Sequence, residues 1–290
     1  MNPSAYRSIF RQGLFAGRVV LVTGAGSGIG RCTAHELAAL GATVALAGRK
    51  SDKLQRVADE LVAVGAQASC HPLDIRDEDA VTAAVGAVLS RHGRLDGLVN
   101  NAGGQFPAPL EAISLKGWDA VVRTNLTGGF LVAREAYRQW MKAHGGAIVN
   151  MTADFRNGMP GMAHSGAARA GMANLTQTAA FEWAHCGVRV NAVAPGWVAS
   201  SGMDTYGGAM KAIIPKLKNH VPLRRLATEA EVASAIVFLL SPGASFITGV
   251  TLQIDGGASL GSAIYPSIDH DRAVPYQGFH RAVTPEVLKP

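Results

Sequence analysis

The stretch Val19-Val-Leu-Val-Thr-Gly-Ala-Gly-Ser-Gly-Ile-Gly30 starts as a β-branched apolar run, turns through glycines, and enters a pattern with Ala34, Leu37 and Ala38 on one helical face before Gly41. That is a strand, a tight turn and a helix. The spacing of Gly24, Gly28 and Gly30 has a physical reason. Glycines permit the turn, let the backbone approach a pyrophosphate, and aim that phosphate at the helix N-terminus. The turn, with Thr23, Ser27 and Ile29 in it, is expected to bind a dinucleotide.

The same beat repeats downstream. Residues 43–47 read as the next strand, and Asp52 is expected to cap a helix whose apolar positions Leu54, Val57, Ala58 and Leu61 fall on one face before Gly65. A strand over 67–73 follows. Asp77 then starts a helix with Val81, Ala84, Val85 and Val88 inward, Gly93 closes it, and 95–100 gives a fourth strand. Residues 118–144 form a long helical stretch, 147–151 a strand, 165–184 a helix and 188–194 a strand ending in Pro195-Gly196. A helix near 229–240 and a strand at 250–254 complete the pattern. Alternation of this kind means an α/β fold, a doubly wound parallel sheet of Rossmann type covered on both faces by helices. One domain over 17–260 is expected, with an N-terminal arm over 1–16 and an irregular tail over 261–290.

Composition excludes several classes. Of 290 residues, 48% are apolar and 17% charged, as in a compact enzyme rather than a disordered chain, and the 34 glycines have no three-residue period. Three scattered cysteines, Cys32, Cys70 and Cys186, argue against a disulfide scaffold or a zinc site. The chain holds no run of about 18 apolar residues and no apolar signal core, so a cytoplasmic protein away from the membrane is expected. Residues 1–18 carry Arg7, Arg11 and Arg18 and read as a short arm packing on the fold. The net charge of +6 is spread out, without the aromatic-interleaved basic run of a nucleic-acid binder, although it would favour an anionic ligand.

The second strand ends Gly48-Arg49-Lys50, where an NAD-selective site usually places an acid for the adenosine ribose. Arg49 and Lys50 can instead pair with a 2′-phosphate, so NADP (NADPH) is the expected cofactor. Asp74 reads as an adenine contact or a simple cap acceptor.

The segments at 23–30, Asp74-Ile75, Asn100-Asn101-Ala102-Gly103, Asn125, Pro195-Gly196 and Asp255-Gly256-Gly257 together resemble the short-chain dehydrogenase/reductase family. The resemblance spans roughly residues 15–260 and implies that Asn101, Ala102 and Gly103 line the adenosine side. It also implies that Pro195, Gly196, Val198 and Ser200 hold the nicotinamide end. A dimer or tetramer is implied too, with the tail at an interface or on the substrate side.

The family's working tyrosine and lysine are replaced here by Ser165 and Arg169, and its serine position falls at Ala153 beside Thr152. Alcohol oxidation needs a base, which the family obtains by lowering a tyrosine from its usual pKa of about 10. A serine hydroxyl is too weak an acid for that, and an arginine with a pKa above about 12 exchanges no proton. Conjugate reduction asks less: hydride on the β-carbon of an activated alkene puts charge on a carbonyl oxygen, which placed donors can stabilise. The segments NNAGGQF (100–106), HSGAARAG (164–171) and SPGASFITG (241–249) resemble the peroxisomal trans-2-enoyl-CoA reductase and 2,4-dienoyl-CoA reductase branch of the family. That branch implies NADPH and an acyl thioester substrate. The C-terminus does not end in a peroxisomal tripeptide, so a cytoplasmic relative is expected.

Ser165 is the candidate oxyanion donor, or it satisfies the start of its helix. Arg169 reads as a cofactor ligand or a surface ion pair, and Asn125 as a group that orients water or substrate or as a buried core amide. His164 and Asp154 are the nearby groups able to move protons. Trp197 and Tyr206 read as lid or acyl-pocket residues, or as plain packing. A carbonyl reductase or alcohol dehydrogenase with an atypical proton donor, and a non-catalytic NADP-binding protein, remain as alternatives.

Overall fold

The computed structural model describes residues 5–260 and 268–289; the ends of the expected arm and tail, residues 1–4, 261–267 and 290, lie outside it. Seven strands form one parallel sheet: β1 Val19–Thr23, β2 Thr43–Gly48, β3 Ala68–Pro72, β4 Gly97–Asn100, β5 Gly146–Met151, β6 Val188–Pro195 and β7 Thr251–Ile254. Their order is β3-β2-β1-β4-β5-β6-β7, so the winding reverses between β1 and β4, the place where doubly wound sheets of this kind hold their ligand crevice beyond the strand ends.

Nine helices flank or cap the sheet in the described residues: α1 Gly28–Ala39, α2 Ser51–Val62, α3 Glu78–His92, α4 Leu115–Val122, α5 Gly128–Ala136, α6 Lys142–His144, α7 Ala163–Trp183, α8 Gly208–Ile213 and α9 Glu229–Leu240. Strand side chains alternate between faces, so β1 feeds two cores. Val20 and Val22 pack with Leu37, Leu54, Leu61 and Ile236 of α1, α2 and α9. Val19 and Leu21 pack with Val85, Leu131, Ala136 and Ala179 of α3, α5 and α7. That double burial explains why the strand reads as a continuous apolar run. Among the described residues no helix is long and apolar enough to cross a membrane.

Two local expectations are corrected. Asp52 does not cap α2: Lys50 holds the N-cap position without a side-chain bond, and Asp52 sits in the first turn, where a carboxylate suits the helix dipole. The single run expected over 118–144 starts earlier, at Leu115 behind a Ser114 cap, and is broken by π turns at Arg123–Thr127 and Tyr137–Met141. Asp77 caps α3 by accepting from the Ala80 amide at 3.0 Å, as its position suggests.

A buried polar ladder fixes the middle of the sheet. Asn100 Nδ2 donates to Gly129 O at 2.9 Å and to Asn150 Oδ1 at 3.0 Å, while Asn150 Nδ2 donates to Thr176 Oγ1 at 2.9 Å. The ladder ties β4 and β5 to α5 and α7 through these three bonds, while Asn100 Oδ1 is buried with no partner among the described residues. Beyond β6, the turn Ser201–Thr205, α8 and the turn Ile214–His220 form a segment, called the lid below, against which the turn Glu286–Leu288 packs. The described tail therefore folds back on its own chain, on the lid side.

Candidate active site

The glycine turn is built for close approach. Gly24 has φ +66°, and a Cβ there would lie 2.9 Å from the Ala102 Cα; at Gly30 it would lie 2.4 Å from the Gly24 carbonyl oxygen. Neither position admits a side chain. Thr23 Oγ1 donates to Val99 O at 3.2 Å and accepts from the amides of Asn101 and Ala102 at 3.0 Å each. Asn101 Nδ2 donates to Thr23 O at 2.9 Å. Thr23 and Asn101 thus clamp the ends of β1 and β4 together at the crevice. Ser27 is extended and exposed, and its hydroxyl makes no cap bond to α1, so the first-turn amides of Gly28, Ile29 and Gly30 are not capped by it.

On the adenosine side, Arg49 and Lys50 are exposed just past β2, and neither pairs with a carboxylate among the described residues. Asp74 is engaged by Arg76, whose Nε and Nη2 donate to its oxygens at 2.9 and 2.5 Å, and those bonds hold the carboxyl down at about 2. Ile75 packs tightly on Gly128, where a Cβ would come within 2.7 Å of it.

At the other end, the Gly196 amide donates to Ile254 O at 3.0 Å, and the Asp154 amide donates to Pro195 O at 3.0 Å. Val198 bridges to Ala227, and Ser200 starts the lid turn. Between these walls lies Arg169. It is 8% exposed, its Nη1 donates to Met151 O at 2.7 Å, and its Nε has no partner among the described residues. No carboxylate pairs with it among the described residues, so the surface ion pair considered from sequence does not occur. Burial pulls its pKa down to about 10. A Cβ on Gly103 would sit 2.7 Å from Arg169 Nη2, which ties the loop after β4 to this cation. A buried, uncompensated guanidinium beside a glycine cradle fits an anionic or hydroxyl-rich ligand such as a nicotinamide dinucleotide.

Asn125 sits in the first π turn, buried, with its amide spent on one residue: Oδ1 accepts from the Gly104 amide at 2.9 Å and Nδ2 donates to Gly104 O at 3.0 Å. It positions the loop. Ser165 is fully buried, and its hydroxyl donates to Gln105 Oε1 at 2.6 Å, while Gln105 Nε2 donates to the Tyr206 hydroxyl at 3.1 Å. Gln105 was overlooked from sequence, although it lies inside the NNAGGQF segment.

His164 is wholly buried, accepts from the Ser165 amide on Nδ1 at 2.9 Å, and meets the Phe106 ring edge-on at 4.5 Å, with no partner for Nε2 among the described residues. Asp154 is half-buried, with Oδ1 unpartnered, and burial followed by the nearby Asp255 pushes its pKa up. Thr152 Oγ1 is taken by Val193 O at 2.8 Å. Trp197 and Tyr206 pack against Met203, Ile214 and Leu217, and so do the tail residues Val287 and Leu288.

The family described as enoyl-(acyl carrier protein) reductase matches residues 24–259. A probable 2,4-dienoyl-CoA reductase of Bacillus subtilis is 37% identical over 243 residues, 83% of this chain and 96% of that protein. A glucose 1-dehydrogenase of Gluconobacter oxydans is 40% identical over 255 residues, 85% and 93% of the two chains. Among solved structures, a citronellol catabolism dehydrogenase of Pseudomonas aeruginosa is 59% identical, covers 88% of this chain and 100% of its own, and superposes with a TM-score of 0.80. With this fold, this crevice and these matches, the chain belongs to the short-chain dehydrogenase/reductase family of oxidoreductases.

Proposed function

We propose that this oxidoreductase uses NADPH to reduce the C=C bond of a trans-2-enoyl thioester or a similarly activated alkene. One observation carries the reading: where the family keeps a tyrosine and a lysine, this chain has a buried serine whose proton is spent on Gln105 and a buried arginine. Neither can take a proton from an alcohol near neutral pH, whereas the arginine suits charge developing on oxygen. The family's cofactor is a nicotinamide dinucleotide, which when bound supplies a hydride. Gly24, Gly28, Gly30 and the α1 amides would hold its pyrophosphate. Arg49 and Lys50 would hold a 2′-phosphate, and Pro195, Gly196, Val198 and Ser200 its nicotinamide end. Arg169 would bind on its open side. Asn125 holds the wall through Gly104, and a solvent proton completes the α-carbon.

The 2,4-dienoyl-CoA reductase name of the Bacillus relative supports this reading. A second reading is favoured by the 59% identical dehydrogenase, whose name places it in citronellol breakdown: oxidation or reduction at a branched alcohol or aldehyde, with Asp154 or His164 as the proton carrier. Steady-state rates with NADPH and NADH across 2-enoyl thioesters, ketones and aldehydes separate the two. We expect enoyl turnover with NADPH preferred by at least about tenfold, the worth of one charge-assisted phosphate contact. Turnover confined to alcohols and carbonyls would establish the second reading.

A further inference from the structure

The hydrogen bonds joining Ser165, Gln105 and Tyr206 run in one direction. A carboxamide has one accepting and one donating end, so with Gln105 Oε1 on the Ser165 hydroxyl at 2.6 Å, its nitrogen faces Tyr206 and donates at 3.1 Å. Tyr206 accepts that bond. Its own hydroxyl hydrogen meets no acceptor among the described residues. The phenol also lies within electrostatic reach of Arg169, the buried cation without a carboxylate. A hydroxyl whose oxygen already accepts a bond is a better donor than one that does not, because hydrogen bonds in a chain polarise one another.

We infer that Tyr206, carried on the lid, presents the O–H that α7 lacks at Ser165, and donates it to the substrate carbonyl oxygen as negative charge gathers there, with Gln105 and Ser165 as positioning residues. The inference rests on the reductase reading, yet it concerns a carbonyl oxygen and so applies to a thioester, ketone or aldehyde alike. Tyr206's part is a hydrogen bond; none of its own bonds breaks. The site is then complete only with the lid in place, because its donor comes from the lid and its cation from the sheet-side helix.

Tyr206→Phe removes the donor and little else. It should lower kcat by about 10²–10³-fold, the cost of one oxyanion donor, while NADPH affinity measured by fluorescence stays unchanged. Gln105→Glu is the sharper variant. A carboxylate only accepts, so Ser165 and Tyr206 must both donate to it, and the Tyr206 hydrogen turns away from substrate. Its kcat should fall like that of Tyr206→Phe although the side-chain volume is conserved, and Ser165→Ala, which frees Gln105 to rotate, should lose less.

A direct reading comes from infrared spectroscopy of a carbonyl-13C-labelled substrate on the enzyme with NADP+, using whichever class the wild type turns over. The stretch should move to lower wavenumber in wild type, and the shift should vanish in Tyr206→Phe. Equal shifts in the two proteins, or wild-type kcat in Tyr206→Phe, overturn the inference while leaving the reductase reading intact. Carbonyl turnover without enoyl turnover overturns the reductase reading alone, and the same comparison then runs on the ketone. A wild type that turns over neither class overturns both.

Discussion

Glu36, on α1, is a carboxylate sealed in the protein by the arm: the hydroxyls of Tyr6 and Ser8 donate to it at 3.1 and 3.0 Å, and burial pushes its pKa from 4.5 up to about 7. A raised acid favours the folded state only while protonated. Its contribution is therefore fully present below about 4.5 and is lost as pH rises through about 7. Glu229, pushed up to about 7 by its own burial, acts in the same sense. Glu36→Gln keeps an acceptor for both hydroxyls and should flatten part of the fall in Tm between pH 5 and 8; an unchanged fall would place the titration elsewhere. The site residues differ in how far sequence reveals them at this scale. Gly30 is legible because a Cβ would collide with Gly24 within the same turn, and Gly24 because the turn needs its positive φ, although the atoms a Cβ would meet there belong to Asn101 and Ala102. Gln105 is not, because its role depends on partners 60 and 101 residues away. Asn125 was legible as buried, but its engagement with the Gly104 backbone needed the loop's path.

At the scale of elements, apolar periodicity located the strands and the long helices well, because strands buried on both faces and amphipathic helices write their burial into the chain. It missed the π turns, since an extra residue in one turn rotates the facing of the next turns without interrupting the helical pattern. It also left the tail without a partner. The turn Glu286–Leu288 holds the lid through the Val287 amide, which donates to Asp204 Oδ1 at 3.1 Å, and through Val287 and Leu288 against Met203, Ile214 and Leu217. Ending the chain at Pro285 removes two partly buried apolar side chains, worth roughly 1–3 kcal/mol. If that energy holds the lid, KM for substrate should rise about tenfold or more in the truncated protein while NADPH affinity stays put. An unchanged KM would mean the lid stands without the tail.

Across the whole molecule, the arm and tail close on each other: the Arg7 amide donates to Gly278 O at 2.9 Å, and the Tyr276 hydroxyl donates to Arg7 O at 2.5 Å. The sheet is apolar on both sides, which accounts for a charged fraction of only 17%, with 27 lysines and arginines in the chain. Of these, Arg49 and Lys50 stand exposed at one end of the crevice, and Arg169 lies buried at the other. That arrangement suits a phosphorylated dinucleotide stretched between them, as the proposed reductase reading requires. The atom that receives the hydride decides between alkene and carbonyl chemistry. NADPH deuterated at the transferring position, incubated with a 2-enoyl thioester and followed by mass spectrometry and NMR of the product, reads that directly. We predict a saturated acyl thioester with deuterium on the β-carbon; an unreduced thioester, alongside deuterium delivered to the carbonyl carbon of an aldehyde or ketone, would contradict it.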